Sequence, residues 1–254
     1  MTLSPAPTDP AHRNTAIEAS TRPDYDSEKQ AAWLQRHQDL VALARGGGID
    51  VAFFGDSLTE QWTTTGRAEW EQWFVPLGAG NFGVSGDRTQ QVLWRMSHGE
   101  LDGIAPRLFV LLIGTNNTDP GLGENSLTRA NSTPEIIAGV AAIVSLVHTR
   151  LPNAKILLHG LLPRGPATAP IREQIAAINA GLRRLDDDGR SLRFVDFGPL
   201  FLEPDNSIRP EIMPDQLHLS AAGYEIWARA LIEPVTAMLR SFAPNHAPPA
   251  PPGS

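Results

Sequence analysis

The strongest constraint on this chain is the alternation of strand-length apolar runs with longer amphipathic stretches. "IDVAFF" (49–54), a short run at Ala79 to Phe82, "RLFVLLIG" (107–114), "AKILLHG" (154–160) and "LRFVDFG" (192–198) are almost continuously apolar. Runs of this kind suit strands covered on both faces, as in a parallel sheet. Helical periods fall between them, at 88–97, 134–151, 170–188 and 220–241. A further one at 28–45 puts Trp33 or Leu34, His37, Leu40 or Val41, and Ala44 on one stripe before Gly46, Gly47 and Gly48 stop it. Strand alternating with helix predicts a single α/β domain, a three-layer α/β/α sandwich around a five-stranded, mostly parallel sheet. Ligands of such sheets bind outside the carboxyl ends of the strands. Here those ends are Gly55-Asp56-Ser57, Asn81 to Gly86, Gly114 to Asn117 and His159-Gly160.

Composition narrows the partners. In 254 residues, 41% hydrophobic content is ample for one packed core. Residues 1–24 and 243–254 are Pro-rich and poor in apolar side chains, so both are predicted to be disordered tails around a folded domain at 25–242. A net charge of -7 without any run of Lys or Arg argues against nucleic acid and anionic membranes as partners. The chain has no cysteine, which removes disulfides, thiolate nucleophiles and Cys-ligated metals. Neither a signal-peptide core nor a run near the ~20 apolar residues of a membrane span occurs. The expectation is a cytoplasmic protein without stable membrane insertion, secretion being open only if a leader has been removed. The glycine-rich runs lack the Gly-Lys-Ser/Thr of a nucleotide loop and the dinucleotide spacing.

What remains at the strand ends suits nucleophilic chemistry. Ser57 follows an apolar strand, where it is either a helix N-cap or a nucleophile. A serine hydroxyl needs a base to take its proton and a carboxylate to orient that base. Of seven histidines, His12 and His246 lie in the predicted tails, and His37 is on an apolar helical stripe. His98 is in a helix-end turn and His148 inside a helix. His159 ends the fourth strand without a carboxylate close in sequence, whereas His218 has Asp215 three residues upstream. That spacing favours His218 as base and Asp215 as orienter. Asp56 should point away from Ser57 and hold the turn. The backbone N–H groups of Ser57 and Gly86 and the side-chain amide of Asn116 are candidate donors to an oxyanion. Trp62 is the aromatic candidate for the pocket rim; Met213 and Leu217 either line an acyl pocket or anchor the loop. No third ligand closes a metal site around Asp215 and His218, and no cofactor is expected.

"GDSL" (55–58), "NFGVSGD" (81–87), "GTNN" (114–117) and "DQLH" (215–218) together resemble the four blocks of the SGNH, or GDSL-type, hydrolases, in that family's order. The resemblance implies a flavodoxin-like fold and a metal-free serine esterase. By similarity Ser57 is nucleophile and oxyanion donor, Gly86 (rather than Gly83) and Asn116 are donors, His218 is base and Asp215 its orienter. "NFGVSGDRTQQVLWR", "GTNNT" and "GLLPRG" look particularly like the platelet-activating-factor acetylhydrolase Ib type of esterase, which implies small acetyl esters of a carbohydrate or lipid-like alcohol as substrates and a homodimer. One departure is the stretch "TDPGLGENSLTRANST" (118–133), longer than the matching loop of those esterases. Two further readings share the scaffold: a thioesterase or lysophospholipase, and a non-catalytic carbohydrate- or protein-binding module.

Overall fold

In the computed structural model, residues 14–119 and 129–242 are described. The five apolar runs become β1 (Val51–Gly55), β2 (Ala79–Gly83), β3 (Leu108–Leu112), β4 (Lys155–His159) and β5 (Leu192–Val195). All pair in parallel in the order β2-β1-β3-β4-β5, with Val51 of β1 opposite Ala79 and Leu108. Every residue of β1 and β3 is buried, as continuous apolar character requires. The order reverses at β1, so the chain ends of β1, β2 and β3 open side by side on one rim.

The connecting segments are α1 (Ser27–Gly46), α2 (Ser57–Glu60), α3 (Arg67–Glu69), α4 (Thr89–Arg95), α5 (Thr133–Arg150), α6 (Pro170–Leu182) and α7 (Ala221–Arg240). α5 packs on both α4 and α6, whereas α7 lies against α3, β3 and β4; these are the two outer layers of the sandwich. In α1 the stripe resolves as Trp33, His37, Leu40 and Ala44. α5 opens on a capping box in which the Glu135 carboxylate accepts from the Ser132 N–H at 2.8 Å, with Pro134 in its first turn. α6 is shorter than its predicted 170–188, because Asp186 and Asp187 turn their carboxylates onto the N–H groups of Phe194 and Ser191 and end the helical path.

The N-terminal boundary needs correction. Residues 1–13 and 243–254 lie outside the described residues, but 14–24 are packed, not a tail. Thr15–Ile17 form a 3-10 turn capped by the Asn14 side chain, and Thr15, Ala16 and Arg22 are buried. Composition concealed this because the segment is held by polar pairs: the Thr89 hydroxyl donates to the Ala16 carbonyl at 2.7 Å, and the Gln91 amide to that of Thr21 at 2.8 Å.

One ionic cluster is buried beneath β2. Arg95 donates from Nε to Asp87 Oδ2 at 2.7 Å and from Nη1 to Glu100, which also meets Nδ1 of His37 at 2.8 Å. The side chains of Arg95, Asp87 and Glu100 are all fully buried. Burial pushes the Asp87 carboxyl up to about 6, and the Arg95 and Trp33 donors keep it from going further.

Candidate active site

β1 runs into Asp56, whose carboxylate caps α2 by accepting from the Leu58 N–H at 3.0 Å. The cap turns the Asp56 side chain inward and leaves the Ser57 hydroxyl at the rim. Burial raises the Asp56 carboxyl to about 7. For α2 to sit so low on the strand ends, its neighbours must be small: a Cβ at Gly83 would run into the Glu60 backbone. From α7, the Tyr224 hydroxyl donates to the Leu58 carbonyl at 2.7 Å and fastens α2 from the opposite end of the chain.

His218 reaches Ser57 across 161 residues of sequence, its Nε2 lying 2.9 Å from Ser57 Oγ. Its Nδ1 is 2.7 Å from Asp215 Oδ2. The other Asp215 oxygen accepts from the backbone N–H groups of Leu217 at 3.0 Å and His218 at 2.7 Å. Burial alone would raise the Asp215 carboxyl, but these three donors outweigh it and hold it below the usual range. A carboxylate only accepts, so the proton of neutral His218 sits on Nδ1 and Nε2 faces the serine with a lone pair. The loop that carries the pair is tied by the Gly165 N–H to the Gln216 carbonyl at 2.9 Å, and Gln216 takes a left-handed φ of 59°.

The candidate oxyanion donors come from the loops that follow β2 and β3. Along Val84 to Arg88, four backbone N–H groups are taken: Val84 by Gly55, Ser85 by Glu60, Asp87 by Val84 and Arg88 by Gln91. The N–H of Gly86, at φ 78°, has no acceptor among the described residues. Asn116 gives one amide hydrogen to the Asp87 carbonyl at 2.9 Å and keeps the other. Asn117 is spent, its Oδ1 accepting from the Thr89 N–H and its amide donating to Gln90 and Asn131. The two asparagines of "GTNN" are therefore unequal.

Trp62 is a correction: it is fully buried, not at a rim. α2 lasts only one turn, and the 3-10 turn after it carries Trp62 under α7, with ring centroids 4.7 Å from both Tyr224 and Trp227. Met213 is likewise fully buried and anchors the loop instead of lining a pocket. Leu217 is half-buried and lines an open cleft of about 400 Å³ with Arg164 and Asp215. His159 accepts from Trp227 Nε1 at 2.9 Å and contacts the Gly160 carbonyl, and burial drives its pKa down to about 4. It is a neutral packing histidine.

Three residues at the site were missed from sequence: Arg22, Asp87 and Arg164. Arg22 donates to the Gly86 carbonyl at 2.5 Å; Arg164 reaches the Thr115 carbonyl and pairs with Asp119. The Pro-Arg-Gly of "LLPRG", a charge placed just after a buried strand, was the available signal for Arg164. The long loop at 118–133 is described only at its flanks, where Arg88 donates to the carbonyls of Asp119 at 2.6 Å and Arg129 at 3.0 Å; 120–128 lie outside the described residues.

The profile of the GDSL-like lipase/acylhydrolase family matches residues 53–226, from β1 through the Asp215–His218 loop into α7. The chain belongs to that family. Subunit alpha1 of platelet-activating factor acetylhydrolase IB from Homo sapiens is 36% identical over 210 residues, covering 82% of this chain and 85% of that protein. Subunit alpha2 from Rattus norvegicus is 35% identical over 214 residues, 84% of this chain and 88% of its own. Among solved structures, a GDSL-like lipase from Bacteroides thetaiotaomicron aligns with a TM-score of 0.63 at 23% identity, covering 83% of this chain and 98% of that one. An acetylxylan esterase from Geobacillus stearothermophilus aligns with a TM-score of 0.57 at 21% identity, covering 75% and 95%. At such identities the two structures speak for the fold, while the family match and the relatives make this GDSL-like acylhydrolase a carboxylic ester hydrolase. No helix among the described residues is long and apolar enough to cross a membrane.

Proposed function

We propose that the protein is a serine esterase acting on short acyl esters, acetyl above all, of a carbohydrate or lipid-like alcohol. The observation that carries this reading is the continuous chain from Ser57 Oγ to His218 Nε2 at 2.9 Å and from His218 Nδ1 to Asp215 Oδ2 at 2.7 Å. Ser57 Oγ attacks the ester carbonyl carbon as its proton passes to Nε2. The N–H groups of Ser57 and Gly86 and the spare amide hydrogen of Asn116 bind the oxyanion. Nε2 then protonates the departing alkoxide as the carbon–oxygen bond breaks, leaving acyl-Ser57 and a free alcohol. Water adds to the acyl carbon as its proton goes to Nε2, and return of that proton to Oγ releases the acid. Asp215 holds the imidazole in this tautomer and faces the imidazolium that forms twice per cycle. No metal is asked for.

The acetyl preference is supported by the acetylhydrolase relatives and by the structural likeness to an acetylxylan esterase. Hydrolysis of p-nitrophenyl acetate tests the reading: Ser57→Ala is expected to lose activity by about 10⁴-fold or more. Equal turnover by the variant and the parent would remove the serine mechanism, and hydrolysis by the parent no faster than background would leave a binding module. Rates on acetyl, butyryl and octanoyl esters and thioesters test the substrate class, an octanoyl preference pointing instead to a lysophospholipase-like enzyme. The reading includes a homodimer, which sedimentation velocity measures directly.

A further inference from the structure

We infer that Arg22 is a positioning residue for ester hydrolysis: from the packed segment ahead of α1 it fixes the Gly86 peptide whose N–H receives the oxyanion. The inference rests on the role proposed above for Gly86. A donor that stabilises developing charge is useful only if it is held in place before the charge appears. Gly86 is the position of that loop most in need of holding, since glycine at φ 78° has no side chain to pack and the widest conformational freedom.

Its neighbours are each braced by a different element. Ser85 is bound at its N–H by Glu60 of α2, at 2.8 Å. Asp87 is bound at its carboxylate by Arg95 of α4 and by Trp33 of α1, at 2.7 and 2.8 Å. Gly86 itself has a single hydrogen bond among the described residues, from Arg22 Nη1 to its carbonyl at 2.5 Å. This guanidinium is well suited to act as a fixed point. Its Nε and Nη2 form a two-pronged pair with Asp24 at 2.9 and 2.7 Å, its plane lies 3.8 Å over the Tyr25 ring, and the Arg22 and Asp24 side chains are 7% and 2% exposed. A Cβ placed on Gly86 would come within 2.7 Å of Arg22 Nη1 and 2.9 Å of the Tyr25 hydroxyl, so the two side chains also form a wall against the glycine.

The segment that delivers Arg22 is anchored to the same foundation. The Ser20 N–H donates to the Gln90 carbonyl at 3.2 Å, and the Asn131 amide donates to the Thr15 hydroxyl at 3.0 Å. Asn131 and Gln90 both accept from Asn117, the neighbour of the second proposed donor. The N-terminal segment thus closes a ring of contacts around both donors. A merely structural Arg22 would tie this segment down and affect melting; a positioning Arg22 sets the rate of the bond-making step.

The test compares the parent with Arg22→Ala on p-nitrophenyl acetate at 25 °C, with melting temperature read in parallel. The expected result is a fall in kcat of about 10- to 100-fold with KM within twofold, because a donor held in the wrong place is lost mainly to the transition state. Millimolar ethylguanidinium should restore part of kcat, and the rate of Ser57 phosphonylation by a p-nitrophenyl phosphonate should fall in step with kcat. Should Arg22→Ala not fold, Arg22→Lys, which keeps the charge but cannot hold Asp24 and Gly86 at once, is read in the same way. A kcat within twofold of the parent overturns the inference, as does a loss that follows melting alone and resists guanidinium rescue. Failure of the esterase reading is seen separately, as activity retained by Ser57→Ala.

Discussion

The two sides of Ser57 are built on opposite plans. On the proposed donor side, Gly86 and Asn116 rest on Asp87, which accepts from Trp33 and Arg95, and the fully buried Arg95 reaches on through the equally buried Glu100 to His37. On the proposed proton-transfer side, Asp215 and His218 stand on a loop with side chains 56% and 32% exposed. The difference fits what the proposed mechanism asks of each side. Dipoles that meet a developing charge stabilise it in proportion to how little they reorganise, and burial with full pairing prevents reorganisation. A base that must exchange protons with an alcohol and then with water needs an opening to solvent.

The contrast can be broken from either side. The largest effect is expected for His218→Ala, a fall in kcat of about 10⁴-fold or more with nearly unchanged denaturant stability, because the side chain is partly exposed and leaves no buried charge behind. Arg95→Met should do the reverse: about 3–5 kcal/mol of stability lost in urea unfolding, as Asp87 and Glu100 are left buried without their cation. Asn116→Ala is intermediate, about 10²- to 10³-fold in kcat at constant KM, and a similar loss in binding of a tetrahedral trap.

Asp56, between the two sides, sharpens the comparison through pH. Its folded pKa of about 7 lies above the unfolded value near 3.8, so the folded state holds a proton that the unfolded state has released. Its contribution to stability is therefore present at low pH and is lost as pH rises from about 4 to 7. Asp56→Asn keeps the cap without the charge, and its melting temperature relative to the parent should climb between pH 4 and 7. The smallest effect belongs to Gln216→Gly. Relief of the left-handed backbone is largely cancelled by the freedom glycine gains on unfolding, so the net change in stability is expected to be within about 1 kcal/mol, with kcat nearly unchanged.

Much of this arrangement was legible in the chain. Apolar runs of strand length marked all five strands, and parallel topology then named the rim on which the polar clusters had to meet. The Asp-x-x-His spacing singled out His218, because one turn suffices to fold that carboxylate back onto its own imidazole and backbone. Legibility ended where long-range polar contacts decide. Trp62 reads as a rim residue only if α2 continues, whereas α2 ends after one turn and the following 3-10 turn carries Trp62 against Tyr224 and Trp227 of α7. Arg22 sits in a Pro-rich, apolar-poor stretch, and its partner Gly86 is 64 residues away. Asn116 is named by the family resemblance, but the Thr89, Gln90 and Asn131 contacts that occupy its chemically identical neighbour Asn117 leave no trace in the sequence.

The strap from Tyr224 to Leu58 carries a consequence for how the protein comes into being. A ribosome delivers β1 long before α7, so the serine turn waits for its buttress, and His218 is made only six residues ahead of that tyrosine. On the proposed mechanism the serine turn gains its base and its strap from the same short stretch, so a cut between β5 and residue 215 is expected to lower activity while every strand of the sheet keeps its covalent place.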